Sequence, residues 1–283
     1  MSGLPFNDIV LAGFIADALA EDLGDGDITA QAVIPPDEPF SAAMVARQPM
    51  VVAGLPLAVE IFKHLDPAAQ IDLPVADGAR VETGQTLLSI AGNARAILAG
   101  ERTALNLVQH LSGIASLTAR YVAALAGTRA TLLDTRKTLP LYRGLAKYAT
   151  ALGGAQNHRM GLYDAILIKD NHIAVAGSLA EAVRLCRDAG HGAIEVECDT
   201  LAQVREAIDA GATRILLDNM SLEELRQAVG IAEGLVSLEA SGGVTLETIR
   251  AIAQTGVDYI SVGGALTLSA PAMDIGLDYA PLA

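Results

Sequence analysis

Positive charge is scarce in this 283-residue chain. Its 19 Lys and Arg stand against 33 Asp and Glu, a formal net charge of −14. Such a chain lacks the broad basic face that general nucleic-acid binding needs. Cysteine is scarcer still: Cys186 and Cys198 are too few for a disulfide framework or a cysteine-built zinc site, and they read as reduced core thiols. Hydrophobic residues make up 52% of the chain, yet there is no run of 18 or more uncharged apolar residues, so no membrane-spanning helix is expected. The opening MSGLPFNDIV has no basic stretch ahead of an apolar one, which argues against a signal peptide. No segment is of low complexity, and no linker rich in Pro, Gly and Ser divides the chain. What remains is a soluble, cytoplasmic protein with neither membrane nor nucleic-acid partners, long enough for one α/β barrel or two domains.

Two rhythms follow one another along the chain. In the first third, residues 6–24 carry apolar side chains at helical spacing and close on Gly24. A Val-rich strand-like run then leads into a second helical stretch. Residues 76–98 alternate short β-like runs with glycine turns, like the hammerhead of biotinyl and lipoyl domains but with no lysine for modification at a hairpin tip. One long helical pattern covers Gly100 to about Gly127. Thereafter TLLDT, AILIKD, AIEVE, RILLDN, SLEAS and YISVGG alternate with helical stretches. Near-continuous apolar strands separated by helices indicate parallel strands buried on both faces. No GxGxxG turn opens a helix, so a barrel is expected in place of an open dinucleotide-binding sheet.

Functional residues of such a barrel gather at the C-terminal ends of its strands. Those ends carry Asp134, Arg136 and Lys137; Lys169, Asp170 and Asn171; Glu195 and Glu197; Asp218 and Asn219; Glu239 and Ser241; Gly263 and Gly264. Period-2 spacing puts Glu195 and Glu197 on one face of an apolar strand, where a carboxylate needs a cation, a metal or a proton. Residues 134–172 reverse the sign of the chain: six Lys and Arg against three Asp leave a net +3. Arg136, Arg159 and Lys169 around one cavity would grip a small polyanion such as a dicarboxylate, Arg through its planar fork. The competing reading neutralises these cations with Asp134, Asp164 and Asp170. Ser241–Gly243 and Gly263–Gly264 follow late strands, where exposed backbone N–H groups can cradle a phosphate. Together these features read as a phosphorylated sugar, a divalent metal and an anionic co-substrate.

At this point the chain resembles a known family. GERTALN (100–106), DTRKT (134–138), NHRMGLYDAILIKDNH (157–172), IEVE (194–197), ILLDNM (215–220), LEASGG (238–243) and SAPAMDIGLD (269–278), with EDLGDGDIT (21–29), resemble quinolinate phosphoribosyltransferases. The resemblance implies an N-terminal α/β sandwich over residues 1–112, an open seven-stranded α/β barrel over 113–269, and a tail, 270–283, packing back on the sandwich. It implies a homodimer, or a hexamer built of dimers, with Arg102 acting across subunits. The implied reaction joins quinolinate to phosphoribosyl pyrophosphate (PRPP) and yields nicotinate mononucleotide, pyrophosphate and carbon dioxide, with Mg²⁺. Arg102, Arg136, His158, Arg159 and Lys169 would line the quinolinate pocket, with His158 alternatively a structural donor. Lys137, Glu197 and Asp218 would be the catalytic set, the two acids facing ribose and reaching Mg²⁺ through PRPP and water. Whether Glu195 or Glu197 faces the ribose stays open. Ser241, Gly242, Gly243, Gly263 and Gly264 would hold the 5′-phosphate.

The chain departs from the family pattern at Leu139-Pro140-Leu141, where Thr-Pro-Gly is usual, at Ala155 in place of glycine, and at Leu268, where a His or Lys is usual. The nearest rival is a related phosphoribosyltransferase-like protein of molybdenum-transport operons. From other classes come a Schiff-base aldolase using Lys169 and a non-catalytic quinolinate-binding protein.

Overall fold

The computed structural model describes residues 8–279 of the chain, so the first two residues of the expected 6–24 helix and the last four of the tail fall outside it. Two compact units divide the chain. One takes the residues up to Leu117, Gly144–Gly153 and the residues from Ala270; the other takes Thr118–Arg143 and Gly154–Ser269.

The first unit opens with helices α1 (Asp8–Leu23) and α2 (Ile28–Val33). Gly24 ends α1 in the left-handed region at φ +50°, and Asp27 caps α2 by accepting from the N–H groups of Thr29 and Ala30. Then come β1 (Pro39–Ala46), β2 (Met50–Val51), α3 (Leu55–Leu65), β3 (Gln70–Asp72), β4 (Arg80–Val81) and β5 (Thr86–Asn93). β1 is the centre of an antiparallel sheet: it pairs with β5 on one side and, on the other, with the last strand of the chain, β12 (Ile275–Tyr279), while β3 pairs with the far edge of β5. Ala42, Met44 and Ala46 alternate inward along β1 and are buried. β2 and β4 form a separate two-stranded ribbon.

Helix α4 (Ala94–Ala124) begins six residues before the expected Gly100, which takes the last residues of the 76–98 stretch out of the β pattern. Gly100 is an interior position of this helix. A Cβ there would lie 3.0 Å from Leu65, 3.2 Å from Phe62 and 3.3 Å from Ile61, so its missing side chain lets α3 pack close. Read from sequence alone, a glycine at that point looks like a boundary. α5 (Arg143–Leu152) completes the helices of this unit.

In the second unit, β6 (Thr131–Leu133), β7 (Ile166–Ile168), β8 (Ile194–Cys198), β9 (Arg214–Asp218), β10 (Ser237–Ser241) and β11 (Tyr259–Ser261) are the six strands read from the sequence. They form one parallel sheet in the order β6-β11-β10-β9-β8-β7. Helices α6 (Asp170–Ala176), α7 (Leu179–Asp188), α8 (Leu201–Ala210), α9 (Leu222–Ala232), α10 (Ile249–Ala253) and α11 (Gly264–Thr267) follow the strands in turn. Ser178, Thr200 and Ser221 cap α7, α8 and α9 through their hydroxyls, the last two as reciprocal boxes with Gln203 and Glu224.

The expected seventh strand is reduced to one residue: beyond β6, Gln156 makes a single parallel bridge with Leu133. The ladder stops there because the next main-chain donor, the N–H of His158, is taken elsewhere. The side-chain amide of Asn157 and the backbone N–H of His158 both go to the carboxylate of Asp134.

Candidate active site

Inward-facing residues of the parallel sheet alternate with period 2, and this places the charged ones in layers. Glu195 pairs in register with Arg214, and Glu197 with Leu216, which in turn lies opposite Glu239. One residue pair further along, Asp218 lies opposite Ser241. At the strand C-termini opens a cavity of about 510 Å³, the size of a small-molecule site. Arg136, Lys137, His158, Arg159, Lys169, Glu197, Asp218, Ser241, Gly242, Gly243, Gly263 and Gly264 all line it. Arg102 is the candidate residue that does not: it sits exposed on α4 in the first unit. Glu195 is one layer below, buried.

The basic island divides into working and structural members. Arg136, Lys137, Arg159 and Lys169 line the cavity. Lys147 is buried on α5, and Arg143 donates to Thr138 Oγ1 at 3.1 Å and to the Met160 carbonyl at 3.0 Å, strapping two loops together. Two of the acids offered as neutralisers hold main-chain loop groups. Asp134, wholly buried, accepts from Asn157 at 2.6 Å and from His158 N at 2.8 Å; Asp164 accepts from the N–H groups of Met160 and Gly161. His172 has a local task, its Nδ1 accepting the N–H of Lys169 at the start of α6.

Arg136 and Arg159 are close enough to repel. Burial lowers the pKa of Arg159, and the like charge of Arg136 lowers it further, with Glu195 and Asp164 opposing. The Nε of Arg136 is buried with no protein acceptor within hydrogen-bonding reach. A half-buried guanidinium beside a second one is costly unless an anion joins them, and a carboxylate is an anion that the planar guanidinium fork can grip with two bonds. Lys169 donates its Nζ to Glu197 across the cavity wall. With Lys169 nearly half exposed, such a pair contributes about 1 kcal/mol at most, little enough for a ligand to displace.

At the cavity wall His158 and Glu239 join a buried cluster with Glu195 and Arg214, which do not line the cavity. His158 Nε2 is 3.1 Å from Glu195 and 3.6 Å from Glu239, and Arg214 Nη1 is 3.7 Å from Glu239. By distance the His158 contacts are ion pairs; by angle they are not aligned hydrogen bonds. Arg214 stacks over the ring of Tyr259 at 4.1 Å. Burial alone would lower the pKa of His158, but the two carboxylates outweigh it and raise it to about 9. One contact points the other way: the N–H of Arg159 is donated to His158 Nδ1 at 2.8 Å, which disfavours a second ring proton. That bond contributes about 1 kcal/mol, less than two buried carboxylates facing one imidazole, so the raised value stands. Burial pushes Glu195 up, and the charge of Glu239 adds to it. Burial also acts on Glu239, yet His158, Ser261 and Arg214 hold it below the usual carboxylate range. Although His158, Glu195 and Glu239 are near enough to share a metal ion, two cations already balance the two acids there. Glu239 already stands among the strand-end residues, and the signal for Arg214 was available too: it repeats on β9 the period-2 logic that singled out Glu195 and Glu197.

Glu197 and Asp218 suit a magnesium ion better. They end the adjacent strands β8 and β9, both reach the cavity, and one or two carboxylates completed by substrate phosphates is the usual magnesium arrangement.

Comparison with known proteins agrees over most of the chain. The family model "Quinolinate phosphoribosyl transferase, N-terminal domain" matches residues 27–112, and that of the C-terminal domain matches 114–278. A nicotinate-nucleotide pyrophosphorylase (carboxylating) from Mycobacterium leprae is 46% identical over 274 residues, 93% of this chain and 95% of that protein. A quinolinate phosphoribosyltransferase (decarboxylating) from Nicotiana tabacum is 42% identical over 288 residues, 94% of this chain and 81% of the other. Among solved structures, the nicotinate-nucleotide pyrophosphorylase of Francisella tularensis superposes with a TM-score of 0.93 at 40% identity, covering 97% of this chain and 98% of that one.

Proposed function

The chain belongs to the quinolinate phosphoribosyl transferase family, and from that premise we propose how its residues perform the family's reaction. The protein is a carboxylating nicotinate-nucleotide pyrophosphorylase, a pentosyltransferase of NAD biosynthesis. It joins quinolinate to PRPP and releases nicotinate mononucleotide, pyrophosphate and carbon dioxide. The observation that carries the site assignment is a cavity lined by Arg136 and Arg159, whose like charges repel, together with Glu197, Asp218 and glycine turns.

Arg136 and Arg159 grip the two carboxylates of quinolinate, with Lys169 released from Glu197 to assist. Their main effect is to orient the ring so that its nitrogen faces the sugar carbon. Glu197 and Asp218 stabilise the positive charge that develops on the ribose as pyrophosphate leaves. Lys137 meets the polyanionic PRPP, and the backbone N–H groups of Ser241–Gly243 and Gly263–Gly264 hold its 5′-phosphate. Glu197 and Asp218 would also hold Mg²⁺, through PRPP and water, and the ion when bound neutralises the leaving pyrophosphate. Once the nitrogen carries the sugar, its positive charge stabilises the carbanion left at C2 by loss of carbon dioxide. His158 lines the cavity with both ring nitrogens engaged by protein groups, which favours a role in shaping the pocket.

For Lys169 as a Schiff-base nucleophile, the ion pair with Glu197 is the wrong setting, since that chemistry needs a desolvated amine free of a carboxylate. In assembly, a dimer or hexamer with Arg102 acting across subunits accounts for an exposed arginine inside the GERTALN motif. The test is direct: purified protein with quinolinate, PRPP and Mg²⁺ should form nicotinate mononucleotide and carbon dioxide one to one. Absence of both products would overturn the reading.

A further inference from the structure

Asn219 is an exposed residue just past the end of β9, easily read as a strand meeting solvent. Its backbone says otherwise. It is one of three non-glycine residues with positive φ among the described residues, at +55°, a conformation that is uncommon without a local reason. Its N–H donates to the carbonyl of Ser241 at 2.9 Å, extending the β9–β10 ladder by one bond. Its side-chain amide donates to Oδ2 of Asp218 at 2.7 Å. Its amide oxygen occupies the space that a side chain at Gly242 would fill: a Cβ there would collide with Oδ1 and lie 2.9 Å from the Asn219 nitrogen. Gly242 itself has φ +96°. One side chain therefore touches both an acid and a glycine turn that face the cavity from neighbouring strands.

We propose that Asn219 is a positioning residue that fixes the Asp218 carboxylate and the Gly242 turn as one rigid unit. Its amide ties down one carboxylate oxygen and leaves the other for the metal-bound pyrophosphate. Asparagine is suited to the task because it tolerates the left-handed region and carries a donor and an acceptor on a short side chain. The inference rests on the assignment of Asp218 and the 241–243 turn to PRPP given above.

Two variants separate the amide from the backbone. Asn219→Gly keeps the left-handed conformation and loses the amide; Asn219→Asp keeps the shape but sets two carboxylates against each other. Calorimetry with inorganic pyrophosphate and Mg²⁺ reads the subsite without turnover. Loss of a hydrogen bond to a charged group predicts that Asn219→Gly binds magnesium pyrophosphate about tenfold more weakly, with a comparable rise in KM for PRPP. Quinolinate affinity and melting temperature stay those of the parent. Asn219→Asp loses at least as much, because a second carboxylate replaces the donor that faces Asp218. Unchanged pyrophosphate affinity in both variants would overturn the proposal, as would parallel loss of quinolinate binding and thermal stability. If Asn219→Gly does not fold, Asn219→Asp decides, through its affinity for magnesium pyrophosphate set against its affinity for quinolinate. Should the parent protein bind magnesium pyrophosphate yet make no product, the functional reading fails while this comparison still decides the role of Asn219.

Discussion

The carboxylate of Asp134 accepts the backbone N–H of His158 at 2.8 Å, joining two motifs 24 residues apart. The acid of DTRKT thus sets the loop that carries the cations of NHR. Replacing Asp134 with Asn puts a donor against the donors of Asn157 and His158. Leaving those buried groups unsatisfied should cost about 1–3 kcal/mol of stability. Urea denaturation measures it, and quinolinate affinity should fall with it because Arg159 is displaced.

Removing Arg136 or Arg159 should have the opposite balance. Each Arg→Ala change deletes charge-assisted bonds worth about 1.5–3 kcal/mol each, so quinolinate affinity should drop roughly tenfold to a hundredfold. Relief of the mutual repulsion should leave the melting temperature unchanged or raised. Paired calorimetry and thermal melts check this. A loss of stability equal to the loss of binding would mean that these arginines hold the fold together.

The buried cluster predicts a pH dependence. His158 has a folded-state pKa of about 9 against an ordinary 6.5. A pKa raised on folding stabilises fully below 6.5 and loses that contribution as pH climbs through 9. Melting temperature should therefore decline over that interval, and His158→Gln should flatten the decline. Replacing Glu239 with Gln removes one of the two carboxylates that raise the value, and the His158 titration followed by NMR should move to lower pH. No movement would contradict the cluster.

Much of this was legible in the chain. Six strands and most of the helices between them follow from local periodicity and capping residues, which act over a few positions. Strand-end placement collected Arg136, Lys169, Glu197 and Asp218 because parallel strands put function at their C-termini. What was hidden depends on partners distant in sequence. Gly100 looks like a boundary until α3 is seen packed on it. The seventh strand shrinks to Gln156 because the Asp134 carboxylate takes the next main-chain donor, the N–H of His158. Lys147 counts towards the positive charge of residues 134–172, and only the fold shows it buried on α5, outside the cavity lining.

If the site is shared between subunits, complementation should reveal it. Arg102→Ala and Arg136→Ala proteins, each impaired alone, should regain part of the parental activity when mixed and allowed to exchange subunits. No recovery, with exchange verified by mass, would place Arg102 outside the site.

The central claim is that an excess of cations selects a dianion, and substrate preference tests it most directly. kcat/KM for quinolinate should exceed that for nicotinate by at least about a hundredfold, the scale expected when a buried charged group loses its partner. Arg136→Ala and Arg159→Ala should each narrow the gap. Equal use of the two pyridines by the parent enzyme would contradict the account.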